Sequence, residues 1–226
     1  MKKPFDSVED QITPKSLRVL WTIIKIALAL GLILMLGWLG LRSCYQDGTA
    51  KMKRYMWTES AAEQYENGTL TVKRFVEYND PELSRLFFIG RIYYTEELGQ
   101  FQFMLRYNTL SEYYKELEDE YPDFAFELIG RSGDSYLEHY TKYCYITDSA
   151  LMYKYYRLAF ENVNTDLCDE LYVVIYHVND GEYDEIGRCT VWEKDVPSDD
   201  YKLSSSEKKA SKPTPSLKYG EFDPKN

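Results

Sequence analysis

The chain has 226 residues, 27 Lys and Arg against 37 Asp and Glu, and a formal net charge of −10. That acidic surplus excludes nonspecific binding to nucleic-acid phosphates, which needs clustered cations, and a hydrophobic share of 44% excludes a wholly disordered chain. The length suits one anchored domain of about 150 residues with tails.

Residues 1–16 are polar, carry two prolines, and read as a short cytoplasmic tail. Thr13-Pro14 supplies a helix start, with Thr13 as N-cap and Pro14 at the first helical position. Residues 17–41 follow as a transmembrane helix. The run Val19–Leu41 is almost unbroken hydrocarbon, longer than the roughly 20 apolar residues that cross a bilayer core. Its one charge, Lys25, lies close enough to the start for its stem to snorkel to the interface. Trp21 and Trp38 sit near opposite ends, about 25 Å apart at helical rise, the spacing of an aromatic belt. A buried core helix does not need so long an all-round apolar surface. A cleaved signal would need a small-x-small site after a shorter apolar core, and Arg42 within Leu41-Arg42-Ser43-Cys44 opposes a lipoprotein signal. An uncleaved signal anchor fits best. Lys2, Lys3, Lys15, Arg18 and Lys25 before or within the run exceed Arg42, Lys51, Lys53 and Arg54 after it by one charge, which puts the N-terminus in the cytoplasm and the rest outside.

Residues 42–68 are expected to hold a juxtamembrane amphipathic helix. Met52, Tyr55, Met56, Ala62 and Tyr65 recur at three- to four-residue spacing, and Asn67-Gly68 ends it. It is expected to pack on the following domain, the other placement being the membrane surface beside the basic residues and Trp57. Residues 69–194 then read as β-rich. Leu70–Tyr78, Leu86–Tyr94 and Gln100–Tyr107 have strand composition, with a hairpin turn at Glu96–Gly99. A helix over Leu110–Tyr121, capped by Asn108 or Thr109 and stopped by Pro122, comes next. Further strands are predicted at Phe124–Ile129, Tyr136–Ile146, Met152–Val163, Leu171–His177 and Ile186–Trp192, with turns at Arg131–Asp134, Thr147–Ala150 and Asn179–Gly181. About eight strands with short turns predict an antiparallel sandwich or a strongly bent sheet. Residues 195–226, rich in Ser, Lys and Pro, are expected to be disordered, except that Leu217–Phe222 is suited to a short edge strand or a partner motif.

Little in this frame points to catalysis. His139 and His177 fall in predicted strands and would need carboxylates from elsewhere to hold a metal. The sequence has no H-E-x-x-H, G-x-S-x-G, phosphate-binding loop or dinucleotide-binding glycine pattern. None of Cys44, Cys144, Cys168 and Cys189 forms a C-x-x-C pair; one disulfide joining Cys144 or Cys168 to Cys189, or ordinary buried thiols, are the two readings. The acidic run Asn179–Glu185 lacks the spacing of a calcium loop and reads as a solvated hairpin. The sequon Asn67-Gly68-Thr69 has meaning only in a eukaryotic secretory pathway. Tyrosine stands out, with 22 residues; it suits half-buried strands first and glycan- or protein-binding faces second.

The expected molecule is therefore a single-pass membrane protein: a transmembrane α-helix followed by a mainly β extracytoplasmic domain with one or two helices. Its expected role is an anchored interaction or binding module in a cell-envelope assembly. The partners are the lipid bilayer and another membrane or envelope protein, with no nucleic acid, no cofactor and no enzymatic activity. The alternative is an envelope hydrolase or ligand-binding enzyme using scattered carboxylates such as Glu127, Asp134 and Asp184. The order of parts resembles that of small bitopic proteins of bacterial envelopes. More loosely, it resembles single-helix components of conjugative transfer machines with an outer α+β domain. The excess of strands departs from the helix-first pattern of the latter, and no residue role is carried over.

Overall fold

The computed structural model describes residues 15–47, 49–68, 70–76, 86–111, 113–114, 123–133, 136–150 and 152–223. The chain divides into two units, Met1–Gln46 and Asp47–Asn226. The first is the helix α1, Lys15–Asp47. Within it Val19–Leu41 is long and apolar enough to cross a membrane, and none of that stretch is buried by the protein. The predicted tail at residues 1–16 and the start signal Thr13-Pro14 fall outside the described residues, apart from Lys15 and Ser16 at the start of α1.

The second unit is mainly β. Its strands are β1 Val72–Phe75, β2 Phe87–Thr95, β3 Gln100–Asn108, β4 Asp123–Ser132, β5 Tyr136–Tyr140, β6 Lys142–Ala150, β7 Tyr153–Phe160, β8 Glu170–Asn179, β9 Glu182–Glu193, β10 Ser198–Asp200 and β11 Lys218–Glu221, with short helices α2 Glu59–Glu66 and α3 Ser205–Lys209. They form a seven-stranded sheet in the order β10-β1-β2-β3-β7-β6-β11 and a four-stranded sheet in the order β5-β4-β8-β9. Every pairing is antiparallel. The two sheets pack face to face. Phe101, Phe103 and Leu105 of β3 and Leu158 and Phe160 of β7 share one core with Phe126 and Leu128 of β4 and Val173 and Ile175 of β8. Side-chain alternation along each strand supplies that face.

The strand signals in the sequence match the hairpin β2–β3, where Gly99 takes a left-handed conformation after the 3₁₀ turn Glu96–Leu98, and the hairpin β8–β9. At the latter Asp180 and Gly181 have φ of 50° and 87°, the double positive φ of a type I′ turn. The predicted single strand Tyr136–Ile146 is instead two. The chain breaks at Thr141, so that β5 joins the four-stranded sheet and β6 the seven-stranded one. The predicted turn Thr147–Ala150 continues β6 in register with β7. Most of the predicted helix Leu110–Tyr121 lies outside the described residues, though Asn108 Oδ1 does accept from the Leu110 amide at 2.9 Å.

Two expectations are corrected. The amphipathic helix over residues 42–68 is helical at its start only as the end of α1 and at its finish only as α2. Between them residues 49–58 form a turn and an extended strap. Its backbone groups find side-chain partners in place of helical ones. Met56 donates its N–H to Gln102 Oε1 at 3.1 Å and accepts from Gln102 Nε2 at 2.9 Å, while the Tyr55 N–H goes to Glu207 Oε1 at 3.0 Å. Thr58 then caps α2, accepting from the Ala61 N–H at 3.2 Å. Of the periodic residues Met52, Tyr55, Met56 and Ala62 are buried and Tyr65 is half-buried, but against the seven-stranded sheet. Each of the two methionines contributes about 1.5–3 kcal/mol.

The second correction concerns residues 195–226. They are ordered through residue 223, as a belt that crosses the outside of the seven-stranded sheet. β10 pairs with β1 on one edge, and β11 pairs with β6 on the opposite edge, as Leu217–Phe222 suggested. The belt lacks a large apolar core of its own. It is held by edge-strand hydrogen bonds, by Tyr201 packed on Tyr93 at 4.6 Å, by Phe222 stacked on Tyr176 at 4.2 Å, and by the buried carboxylate of Glu207.

Candidate functional site

Strap and belt cover the outer face of the seven-stranded sheet. The outer face of the four-stranded sheet is different: Arg131, Leu137, His139, Glu185 and Arg188 are exposed there and Tyr172, Tyr176 and Tyr183 half-buried, with Phe222 laid over one corner. The register explains the composition. On β4, Phe124, Phe126 and Leu128 point into the core, so Ala125, Glu127, Ile129 and Arg131 point out. Opposite them on β8 the outward set is Tyr172, Val174 and Tyr176. Ala125, Ile129 and Val174 of this face are themselves buried, at most 6% exposed, so the surface presented is made of tyrosine rings, arginines and carboxylates.

The polar groups of this face are tied together. Glu127, 5% exposed, accepts from Tyr176 Oη at 3.0 Å and pairs with His139 Nδ1 at 2.7 Å. Burial, followed by the Glu127 carboxylate, pushes the Tyr176 phenol above its ordinary value. Arg131 contacts Glu170 at 2.6 Å, and Glu170 also accepts from Thr190 Oγ1 at 2.7 Å. Arg188 holds Glu185 through two bonds of 2.6 and 3.0 Å, which keeps the Glu185 carboxyl below its ordinary value. Between Arg131, Tyr172 and Arg188 lies a recess of about 220 Å³. These groups make a pre-ordered surface with donors, acceptors and aromatic edges. Glu127 orients the His139 ring, as a carboxylate does for a working imidazole, but its own oxygens are taken up by His139 and Tyr176.

The two described carboxylates singled out from sequence, Glu127 and Asp184, do not converge. Glu127 faces outward; Asp184 pairs in register with inward-facing His177 and so lies on the other face of the sheet, and Asp134 is outside the described residues. His139 and His177 also point to opposite faces, His177 packing against Phe124 in the interior. Among the described residues, no three His, Cys, Asp or Glu side chains are placed to hold a metal ion. Cys144, Cys168 and Cys189 are buried free thiols, which removes the disulfide reading for them. Burial pushes the Cys144 thiol up to about 12, far from a reactive thiolate. A second recess of about 740 Å³ opens between α2 and β11, where Glu59, Glu63, Glu161 and Tyr219 surround a floor of Cys144 and Ala159. Neither recess could be read from sequence, because each is assembled from separated segments. The signal for the exposed face was the tyrosine excess, which does not say which rings point outward. Comparison of the chain with protein-family models, with curated proteins and with solved structures gives no match.

Proposed function

We propose that the protein is a membrane-anchored binding module. In this reading α1 is inserted in the bilayer with its N-terminus in the cytoplasm, the sandwich lies outside, and the exposed face of the four-stranded sheet docks another membrane or envelope protein. The observation that carries the reading is the composition of that face. Tyr and Arg are the residue types enriched at interface centres, and here Tyr172, Tyr176, Tyr183, Arg131 and Arg188 share one surface. The length and composition of α1 support the anchor, and the one-charge bias around it supports the orientation.

A photo-crosslinking side chain placed at Tyr172 tests the docking face in intact cells. A discrete adduct from position 172, lost on Arg188→Glu and missing when the same probe replaces exposed Lys209 on α3, is the expected result. Equal adducts from both positions would mean that the face has no special role. Alkaline carbonate extraction and protease treatment of intact cells test the anchor and its orientation separately: the chain should stay with the membrane, and the sandwich should be cut from outside.

A further inference from the structure

We propose that residues 198–222 are a releasable belt that locks the linker following α1 onto the seven-stranded sheet. The linker is the strap, residues 49–58. Its residues 55–58 are all buried, though an extended segment lying on a sheet should bury only alternate side chains. The belt supplies the missing cover. Glu207 on α3, 3% exposed, receives the Tyr55 N–H at 3.0 Å, the Tyr201 hydroxyl at 2.9 Å and the Ser204 N–H at 2.8 Å. The Trp57 indole donates to the Glu207 carbonyl at 3.1 Å, the Thr214 N–H donates to the Trp57 carbonyl at 2.9 Å, and Lys51 Nζ reaches Ser216 Oγ at 2.9 Å. Strap and belt thus run side by side, joined by both backbone and side chain.

The belt's own attachment is lighter than that of the sheets. β10 makes three register pairs and β11 four, both strands are largely exposed, and Glu207 and Phe222 are the belt's buried side chains, with Tyr201, Leu203 and Leu217 half-buried. Segments with few buried contacts and exposed backbone bonds open locally before the whole fold does. Opening this one strips the cover from the strap and leaves Tyr55 and Trp57 without their belt partners. A freed strap adds about 35 Å of chain between α1 and the sheets at full extension. The device is therefore a tether with two lengths, set by whether the C-terminal segment is docked. Release also lifts Phe222 from Tyr176 and Tyr183, but the lock on the strap holds whether or not that face binds a partner.

Arg54 provides the readout, because the strap contains that arginine and the belt contains none. The full-length protein in detergent is treated with an arginine-specific protease, and cleavage after Arg54 is followed by mass. Glu207→Gln should accelerate that cut by at least about tenfold while leaving cleavage after Arg188 unchanged, since cleavage tracks the open population. A chain ending at Asp195 should be cut faster still, keep a cooperative melt, and regain protection when a synthetic peptide of residues 196–223 is added. Unchanged cleavage after Arg54 in Glu207→Gln would overturn the proposal. So would loss of cooperative melting in the shortened chain, which would make the belt an integral part of the sandwich, or failure of the peptide to restore protection.

Discussion

At Gly130 on β4 an added Cβ would lie 2.4 Å from Cys168 Sγ and 3.4 Å from Leu171 Cδ2. A side chain cannot enter that space unless Cys168 gives way, so Gly130→Ala should cost about 1–3 kcal/mol by overpacking. The measurement is the denaturant midpoint at unchanged slope. Adding Cys168→Ala should recover part of the loss, and additive effects of the two changes would refute the contact. Arg157 presents the opposite case. It is fully buried, donates one bond to the Arg91 carbonyl at 2.9 Å, and lies 4.6 Å over the Tyr93 ring. Its Nε and Nη2 have no hydrogen-bond partner. Burial lowers its pKa to about 10, so it is still charged at neutral pH. Replacing a buried, incompletely paired charge with an apolar side chain of similar length is often neutral or stabilising. Arg157→Met should therefore melt at or above the wild-type temperature. A loss beyond about 2 kcal/mol would show that the carbonyl bond and the ring contact outweigh the desolvation.

At the scale of elements, the belt has a pH limit. Burial alone would raise the Glu207 carboxyl, but bonds from the Ser204 side chain, the Tyr55 and Ser204 N–H groups and the Tyr201 hydroxyl outweigh it and hold the value below the ordinary 4.5. A carboxyl depressed in the folded state adds stability that is full above its unfolded value and is lost as pH falls through the folded one. Cleavage after Arg54 by an acid-tolerant reagent should accelerate as pH falls below the ordinary carboxylate value of 4.5 in the wild type and show no such step in Glu207→Gln. Strands and hairpins with local causes were legible in the sequence: Asn179-Asp180-Gly181 because a type I′ turn needs those residues, and β2–β3 because Gly99 needs a left-handed φ. The break at Thr141 was not, because the residues on both sides have the same strand composition and only the sheets they join differ. Met52, Tyr55 and Met56 sit at helical spacing and so point to a helix over the strap, while the partner that overrides the helix, Gln102, is 46 residues away from Met56. The belt's few apolar side chains point to disorder, because composition does not register the edge hydrogen bonds that hold it. On the exposed face, Glu127 was picked out as a carboxylate, but its pairing with His139 depends on the β4–β5 register, which no short-range signal gives.

For the whole molecule, the buried tyrosines set an alkaline limit. Burial raises the Tyr55, Tyr114, Tyr156 and Tyr201 phenols above the ordinary value of 10.0. A group raised in the folded state contributes stability that is complete below its unfolded pKa and lost as pH climbs through the folded one. Stability should therefore fall steeply above about pH 10, and tyrosinate absorbance should appear in one cooperative step together with loss of the strand signal in circular dichroism. Independent titration of these rings at pH 10 in a folded protein would contradict their burial. The placement of the belt also bears on how the protein is made. Both outer edges of the larger sheet are closed by residues 198–200 and 218–221, which leave the ribosome after all its other strands. Until they arrive, β1 and β6 each offer an unpaired backbone edge, the kind of surface that recruits strands from other chains. A copy whose synthesis stops before residue 198 would keep nearly every core side chain and still bear two open edges. A premature stop late in the message would thus yield an aggregation-prone product, marked for disposal by its open edges and its uncovered strap.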